Sequence, residues 1–298
     1  MSPVAPEFFR GKHLVVFGAG YVGAEVVRQA VARGLRVTAL TRNADKARHL
    51  VTSGAATVIA DLADDSWHAH PSLAAGADFA LNCVSSGGGG LAGYRHSYLE
   101  GMRSIRTWAE RAPVGAMVYT SSTSVYPQDG GVRVDESAPT EGAGEAGKVL
   151  LEAEACLLAG ANRGFVLRLA GIYGPGRHHL LDQLREGDGP VAGRGDHSLN
   201  LIHRDDIAAA VWAALGAPAG VPGGIFNVAD DGAAPKAEVI AWLAARLGRP
   251  VPSFTGEPAQ GRRKVTPDRI IANDKLKRTL GWSPRYPTFR EGYAALLG

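Results

Sequence analysis

The stretch LVVFGAGYVG, residues 14–23, determines how the rest of the chain is organised. It begins with four consecutive apolar residues, which predict a strand that is buried on both faces. An apolar periodicity from Tyr21 to about Ala32 predicts a helix directly afterwards. The strand therefore ends where the helix begins, and a glycine-rich turn joins them.

Each glycine of this turn has a separate task. Gly18 permits the tight turn, Gly20 removes a side chain where a pyrophosphate must approach the backbone, and Gly23 lets the helix pack close to the strand. The first helical residues, Tyr21 and Val22, then present free N–H groups to the phosphates. Glycines at this spacing also occur in turns that bind nothing, but their placement between a strand and a helix indicates a dinucleotide site.

The composition is that of a globular protein with a large core. Hydrophobic residues make up 45% of the 298 positions and charged residues 20%, which excludes wholesale disorder. The net charge of +3 is small and the chain has no long basic run, so we expect no nucleic-acid partner. No apolar run approaches about 18 residues and the N-terminus lacks a signal-peptide pattern, so we expect a cytoplasmic protein with no membrane partner.

The cysteines and histidines show no metal-ligand spacing. Cys83 and Cys156 are far apart in sequence, which predicts buried reduced thiols, and the adjacent His178 and His179 project apart on any regular element. The sequence therefore predicts no metal site, although these histidines could contact a substrate. It leaves open whether the protein is a monomer or a homodimer.

Strands and helices alternate beyond the first helix. The patterns predict strands at residues 35–40, 56–60, 78–85, 116–120 and 225–228, and helices at residues 94–112, from Lys148 onward, and at 237–247. This alternation is typical of an α/β fold with a doubly wound parallel (Rossmann) sheet, in which ligands bind beyond the carboxyl ends of the strands. We expect residues 1–174 to form the dinucleotide-binding domain, with 203–228 returning to it, and residues 175–202 and 229–298 to form a smaller C-terminal substrate lobe.

The end of the second strand bears on the choice of cofactor. Thr41 and Arg42 stand where NAD-binding units carry an acidic residue for the ribose hydroxyls, and an arginine there can accommodate a 2′-phosphate. This favours NADP, with NAD as the second choice, although Arg42 could also be a solvated residue that begins the next helix. Asp61 could meet the adenine edge or cap the following turn. Further cofactor contacts are expected from Leu62, Val84 and Ser85.

A polar cluster follows the strand predicted at residues 116–120. Residues 121–126, SSTSVY, are poor core material at the end of a central strand and suit an active site, although their hydroxyls could instead bond to the local backbone. Downstream, Lys148 could point into the cofactor crevice or pair with Glu152 four residues later.

The motifs in order resemble those of the extended short-chain dehydrogenases/reductases, the class of NAD-dependent epimerases and dehydratases that act on nucleotide sugars. The matching segments are GAGYVG at 18–23, YTSSTSVY at 119–126, LRLAGIYGPG at 167–176, LIHRDDIA at 201–208, KLK at 275–277 and LGWSP at 280–284. The resemblance covers nearly the whole chain and implies the Rossmann fold with its cofactor site.

The resemblance also implies roles for individual residues. Ser122, four residues before Tyr126, occupies the place of the catalytic hydroxyl, and Lys148 that of the lysine which binds the nicotinamide ribose. The catalytic tyrosine stands four residues before that lysine in the family, and here the position is Gly144. The chain thus resembles the atypical subgroup that lacks this tyrosine.

A substitute for the missing phenol would have to come from elsewhere in the chain. Tyr98 replaces an asparagine of the usual active-site group, and Tyr126 and Tyr173 are the other candidates, although each could be a packed ring with its hydroxyl at the cleft edge. Arg262, Arg263 and Lys264 would suit a phosphate-bearing substrate or a solvated basic loop.

These observations predict an NADP-binding, epimerase-like oxidoreductase. Its substrate would be a small polar molecule, free or nucleotide-linked, that carries a carbonyl or an alcohol. The alternative is a dinucleotide-binding sensor, or a protein that binds a partner, which lost catalysis together with the tyrosine.

Overall fold

The first strand lies in the middle of the sheet, as its apolar sequence predicts. In the computed structural model, which describes residues 6–187, 189–257 and 267–298, all five residues of the strand His13–Phe17 are buried. The basic triplet Arg262, Arg263 and Lys264 lies outside the described residues.

Thirteen strands occur in the described part of the chain. They are β1 (His13–Phe17), β2 (Arg36–Thr41), β3 (Ala56–Ile59), β4 (Ala77–Asn82), β5 (Val114–Ser122), β6 (Val132–Val134), β7 (Arg163–Leu169), β8 (Gly171–Tyr173), β9 (Ser198–Leu199), β10 (Leu201–His203), β11 (Gly224–Val228), β12 (Ala234–Pro235) and β13 (Arg269–Ile271). Seven of them form one sheet in the order β11-β7-β5-β4-β1-β2-β3. All neighbours in this sheet are parallel, which confirms the doubly wound Rossmann architecture.

Helices cover the two faces of this sheet and build the lobe. They are α1 (Tyr21–Ala32), α2 (Ala44–Thr52), α3 (Pro71–Ala74), α4 (Gly90–Tyr94), α5 (Gly101–Arg111), α6 (Glu145–Leu158), α7 (His179–Glu186), α8 (Arg204–Leu215), α9 (Lys236–Leu247), α10 (Asp274–Leu280) and α11 (Phe289–Leu297). A π-helical segment, Arg95–Glu100, joins α4 to α5 without a break. None of the helices among the described residues has the length and apolar character needed to cross a membrane.

The C-terminal region contains a second, smaller hydrophobic core. Its buried residues come mainly from α7, α9 and α11, and include Leu181, Leu184, Val239, Ile240, Leu243, Phe289 and Tyr293. Leu276, Leu280 and Trp282 pack instead into the core of the large sheet. The division of the chain at residue 229 stays a prediction.

Several element boundaries differ from those predicted, including the start of α6 at Glu145 rather than at Lys148, and two of them concern the fourth strand and the helix after it. The fourth strand ends at Asn82 rather than at Ser85, because the Asn82 side chain accepts a hydrogen bond from the Val84 N–H (3.2 Å) and turns the chain. The following helix begins at Gly90, four residues before the predicted start, and passes through the π-helical segment. Both differences lie beside the cleft described next.

Candidate active site and cofactor cleft

The turn after β1 is as tight as the glycine pattern requires. Gly18 has φ +86°, and a Cβ built on it would lie 2.6 Å from Val84 Cα. A Cβ on Gly23 would lie 2.4 Å from the Gly18 carbonyl oxygen and 2.7 Å from Cys83 Sγ. Only glycine permits this approach of α1 to β1 and β4.

Gly20 has a different environment, although it belongs to the same motif. A Cβ built on Gly20 meets no described atom within 4 Å, so the space above its backbone is open. Gly20 is also the N-cap of α1 and has no side-chain capping bond, so the first N–H groups of the helix face that space. An open backbone cradle at a helix N-terminus fits the pyrophosphate of a dinucleotide.

The cleft continues from this cradle along the carboxyl edge of the sheet. Phe17 of β1 pairs with Leu40 of β2 and with Asn82 of β4, so the segments that follow these strands lie side by side. The resulting open cleft has a volume of about 790 Å³. Eight of the residues predicted to bind the cofactor line it, namely Gly18, Gly20, Thr41, Arg42, Asp61, Leu62, Val84 and Ser85.

The other predicted cofactor residues have different positions. Val22 and Gly23 are buried beneath the cradle, and Lys148 lies outside the residues that line the cleft. The Tyr21 hydroxyl donates a hydrogen bond to the Pro175 carbonyl (3.0 Å), while Arg177 and Arg204 flank the Tyr21 ring. Tyr21 therefore ties the cofactor turn to the loop that leads into the lobe.

Several lining residues were missed by the sequence analysis, namely Asn43, Lys46, Gly87, His96 and Ser97. Asn43 and Lys46 had a sequence signal, because Asn43 is a favoured N-cap type and its side chain accepts the Lys46 N–H (2.9 Å). No sequence signal pointed to His96, because it reaches the cleft only through the π-helical segment.

At the adenosine end, Asp61 is surrounded by cationic or polar groups. His96 Nε2 lies 3.0 Å from both carboxylate oxygens, and Arg42 Nη1 lies 3.5 Å from Oδ2. The Ala63 N–H also donates to Asp61 (3.0 Å), so the carboxylate caps the turn as well as lining the cleft. Partial burial opposes ionisation, but the hydrogen bonds from His96 and Ala63 outweigh it and hold the pKa of Asp61 below its usual value.

Ser122 is the last residue of β5. The last residue of β4, Asn82, pairs with Tyr119 of β5, so β5 extends three residues further along this edge than β4. Ser122 Oγ accepts the Ser124 N–H (3.1 Å), so the predicted local bond to the backbone does form. Among the described residues the Ser122 hydroxyl has no acceptor for its own hydrogen, which leaves that hydrogen free for a substrate oxygen.

Gly144 is the N-cap of α6, and nothing in the described structure lies within 4 Å of a Cβ built there. The first turn of α6 lies beside the serine cluster, since a Cβ on Gly147 would be 3.4 Å from the Ser124 carbonyl oxygen. The position that the resemblance assigns to the catalytic tyrosine is therefore an open space near the end of β5.

Lys148 does not form the pair with Glu152 that the sequence suggested. Its Nζ contacts Glu145 Oε1 (2.7 Å) at the solvent-exposed start of α6, while Glu152 is paired with Arg95 (3.2 Å). A three-residue helical spacing suits an ion pair as well as a four-residue spacing does, so sequence alone could not choose the partner.

The three candidate tyrosines differ in access to the cleft. Tyr126 is buried and its hydroxyl donates to Asn227 Oδ1 (2.8 Å), and Tyr173 is buried against Tyr293 in the lobe core (4.7 Å between ring centroids). Both rings pack in the interior, which is the alternative given for them, but neither residue is among those that line the cleft. Tyr98 is partly exposed, and its hydroxyl accepts the Ser86 N–H (3.3 Å) beside the cleft.

A family model describing the NAD dependent epimerase/dehydratase family matches residues 14–229, which is more than half of the chain. The chain belongs to the NAD dependent epimerase/dehydratase family. Its activity class is therefore that of the nicotinamide-dinucleotide-dependent epimerases, dehydratases and reductases. This agrees with the resemblance on which the sequence analysis relied.

The chain is also similar in sequence to two individual proteins. Protein YeeZ of Escherichia coli K12 is 29% identical over 283 residues, which cover 93% of this chain and 97% of YeeZ. A 3-diazoavenalumate denitrifying reductase of a Streptomyces species is 30% identical over 180 residues, which cover 56% of this chain and 58% of that enzyme.

Solved structures share the architecture of this epimerase/dehydratase family member. A conserved protein of unknown function from Silicibacter pomeroyi is 28% identical with a TM-score of 0.75, and the match covers 96% of this chain and 98% of that one. A UDP-glucuronic acid 4-epimerase from Bacillus cereus, solved with NAD, has a TM-score of 0.79 at 18% identity, covering 96% and 95% of the two chains. At that identity the likeness concerns the fold alone.

Proposed function

We propose that this protein is an NADP(H)-dependent oxidoreductase that acts on a polar carbonyl or alcohol substrate without the usual catalytic tyrosine. One observation carries the proposal: the Ser122 hydroxyl stands at the carboxyl end of β5, and among the described residues it has no acceptor for its own hydrogen. That position suits a hydrogen bond to a substrate oxygen.

The preference for NADP rests on the end of β2. Arg42 lines the cleft directly after Thr41, and Lys46 lines the same end, so two cations of the segment that follows the strand face the cleft. The acidic residue between them, Asp45, is not among the residues that line the cleft and is paired with Arg48. A cationic end of this kind favours a 2′-phosphate over free ribose hydroxyls.

In this proposal the bound cofactor supplies or accepts the hydride. Ser122 donates a hydrogen bond to the substrate oxygen and polarises the carbonyl. Lys148 must leave Glu145 to reach the nicotinamide ribose, which its exposed position permits. The proton for the substrate oxygen comes from water or from Tyr98, because position 144 carries no side chain.

Members of this fold family act on substrates as large as nucleotide sugars. The Streptomyces relative favours a reductase reaction for the present chain. That relative is a denitrifying reductase of 3-diazoavenalumate. We propose that the present chain likewise works as a reductase on a substrate whose reduction depends little on a protein acid.

Cofactor titration with NADPH and NADH, followed by turnover assays on a panel of carbonyl compounds, tests the proposal. NADPH should bind about tenfold to a hundredfold more tightly than NADH, and Arg42→Ala should remove the difference. Ser122→Ala should abolish turnover and leave cofactor binding unchanged. Equal affinities for the two cofactors would contradict the NADP assignment, and turnover that survives Ser122→Ala would contradict the catalytic assignment.

A sensor of the cofactor's redox state is the second candidate. Two features favour this function: Gly144 has no side chain that could donate a proton, and Lys148 is paired with Glu145 in the free protein. Tight cofactor binding with no turnover on any carbonyl compound, unchanged by Ser122→Ala, would support this function over the first.

A further inference from the structure

Three side chains from three separate elements meet at the adenosine end of the cleft. Arg42 follows β2, Asp61 follows β3, and His96 belongs to the π-helical segment. Asp61 lies between the other two, 3.0 Å from His96 Nε2 and 3.5 Å from Arg42 Nη1. All three remain accessible, with 50%, 37% and 48% of the Arg42, Asp61 and His96 side chains exposed.

The π-helical segment explains how His96 reaches this end. His96 and its neighbour Ser97 both line the cleft, whereas the next residue, Tyr98, contacts the loop before the helix through Ser86. Wider helical turns of this type are rare and are frequently found at functional sites. The local geometry thus directs His96 toward Asp61.

The arrangement raises an electrostatic problem for a phosphorylated cofactor. The Asp61 carboxylate shares Arg42 with any anion that binds beside β2, and its negative charge would repel a 2′-phosphate. Lys46 lines the same end, so it supports the phosphate but does not contact Asp61 among the described ion pairs. His96 is the other side chain that contacts Asp61 at this end, with Nε2 3.0 Å from both carboxylate oxygens.

We propose that His96 is a specificity determinant for the 2′-phosphate, because it holds and neutralises Asp61 and thereby releases Arg42 to the phosphate. The proposal rests on the NADP assignment made above and adds a residue to it. NADH has no 2′-phosphate, so the same contact should have little effect on its affinity.

Calorimetric titration with adenosine 2′,5′-bisphosphate and with 5′-AMP, which differ only in the 2′-phosphate, isolates this effect from the nicotinamide end. The readout is the ratio of the two Kd values, which removes any change in adenine binding. His96→Gln should lower the preference for the bisphosphate by about threefold to fivefold, and Asp61→Asn should raise it. In the Asp61→Asn background the His96→Gln substitution should have no further effect on the ratio.

The control is His49→Gln, an exposed histidine in the last turn of α2, which should leave the ratio unchanged. If Arg42→Gln loses the wild-type preference but His96→Gln keeps it, the role of His96 is overturned while the NADP assignment stands. An equal loss from His96→Gln with and without Asp61 would overturn it as well. A wild-type ratio near one would instead refute the NADP assignment and the present inference with it.

Discussion

At the scale of single residues, Gly144 is the position where this chain departs most from its resemblance to the wider family. The space around it is open, and its φ of −64° suits any residue. We therefore expect Gly144→Tyr to fold normally and to raise carbonyl reductase activity. General acid catalysis is typically worth about 10² to 10⁴ in rate, which sets the upper range of the gain.

The gain should depend on the rest of the site. Steady-state assays of Gly144→Tyr with and without Ser122→Ala provide the control, and the double variant should be as slow as Ser122→Ala alone. Fast turnover by the unmodified protein that is insensitive to Tyr98→Phe would show that the proton donor lies elsewhere.

Asp230 gives a pH-dependent prediction about stability. It is 4% exposed, and burial, with the nearby negative charges of Asp231 and Asp206, raises its pKa from 3.8 to about 7. The pKa of Asp230 is higher in the folded protein than in the unfolded chain. The contribution of Asp230 to the free energy of unfolding is therefore most favourable below about pH 4, and it is lost as the pH rises toward 7. The loss amounts to at most about 4 kcal/mol.

Asp230→Asn should therefore raise the Tm at pH 8 and leave it nearly unchanged at pH 4.5. The amide retains an acceptor for the Gly232 N–H that Asp230 Oδ1 now accepts (3.1 Å). Thermal unfolding followed by circular dichroism at the two pH values measures the difference. A lower Tm at pH 8 than in the unmodified protein would show that the charge is needed.

Single residues also show where sequence reasoning stops. Arg42 and Asp61 could be placed in the cleft because each follows a predicted strand, and parallel strands end at one edge. The partners of Lys148 and Asp61 could not be chosen, because helical spacing allows several ion pairs and His96 approaches from a distant part of the chain. The buried positions of Tyr126 and Tyr173 likewise depend on tertiary packing.

At the scale of elements, the turn between β1 and α1 offers a matched pair of substitutions. Gly20→Ala adds a methyl group where no described atom lies within 4 Å, so stability should change little while dinucleotide binding is lost. Gly23→Ala forces a methyl group to within 2.4 Å of the Gly18 carbonyl oxygen and should destabilise the fold by about 1–3 kcal/mol.

Urea unfolding and cofactor titration of both variants separate the two effects. The pair fails as a prediction if Gly20→Ala binds the dinucleotide normally, or if the two variants lose equal stability. The first result would mean that the cradle does not approach the pyrophosphate as closely as proposed, and the second that the contact of α1 with the Gly18 carbonyl does not set the stability of the fold.

Elements with a strong pattern were predicted well, and elements that depend on local turns were not. The helix predicted from Tyr21 to Ala32 and the strands on either side of it follow from apolar periodicity and glycine chemistry. The π-helical segment has no such signature, since its sequence is as compatible with an ordinary α-helix.

At the scale of the whole molecule, the loop between sheet and lobe is where we expect a change of conformation. Gly174 and Gly176 have φ of +146° and +71°, and the loop is held to α1 by the Tyr21 bond to Pro175. We expect the lobe to move toward the sheet when cofactor and substrate bind, since a crevice must admit a ligand and then exclude water. Small-angle scattering of the free and liganded protein measures the movement.

Tyr21→Phe removes the bond to Pro175 and should widen the range of conformations in the free state. Its ring packing stays intact, which makes it a conservative control. An identical radius of gyration in the free and liganded states, in both proteins, would show that the two regions behave as one rigid body.

The position of β11 has a consequence for synthesis of the chain. This strand completes the sheet on the outer side of β7, yet it follows β7 only after the first part of the lobe has been made. Until residue 228 leaves the ribosome, the apolar β7, with Phe165, Val166 and Leu167, is an unprotected sheet edge. The nascent protein is therefore most prone to aggregate in that interval, and chaperones would protect it best there.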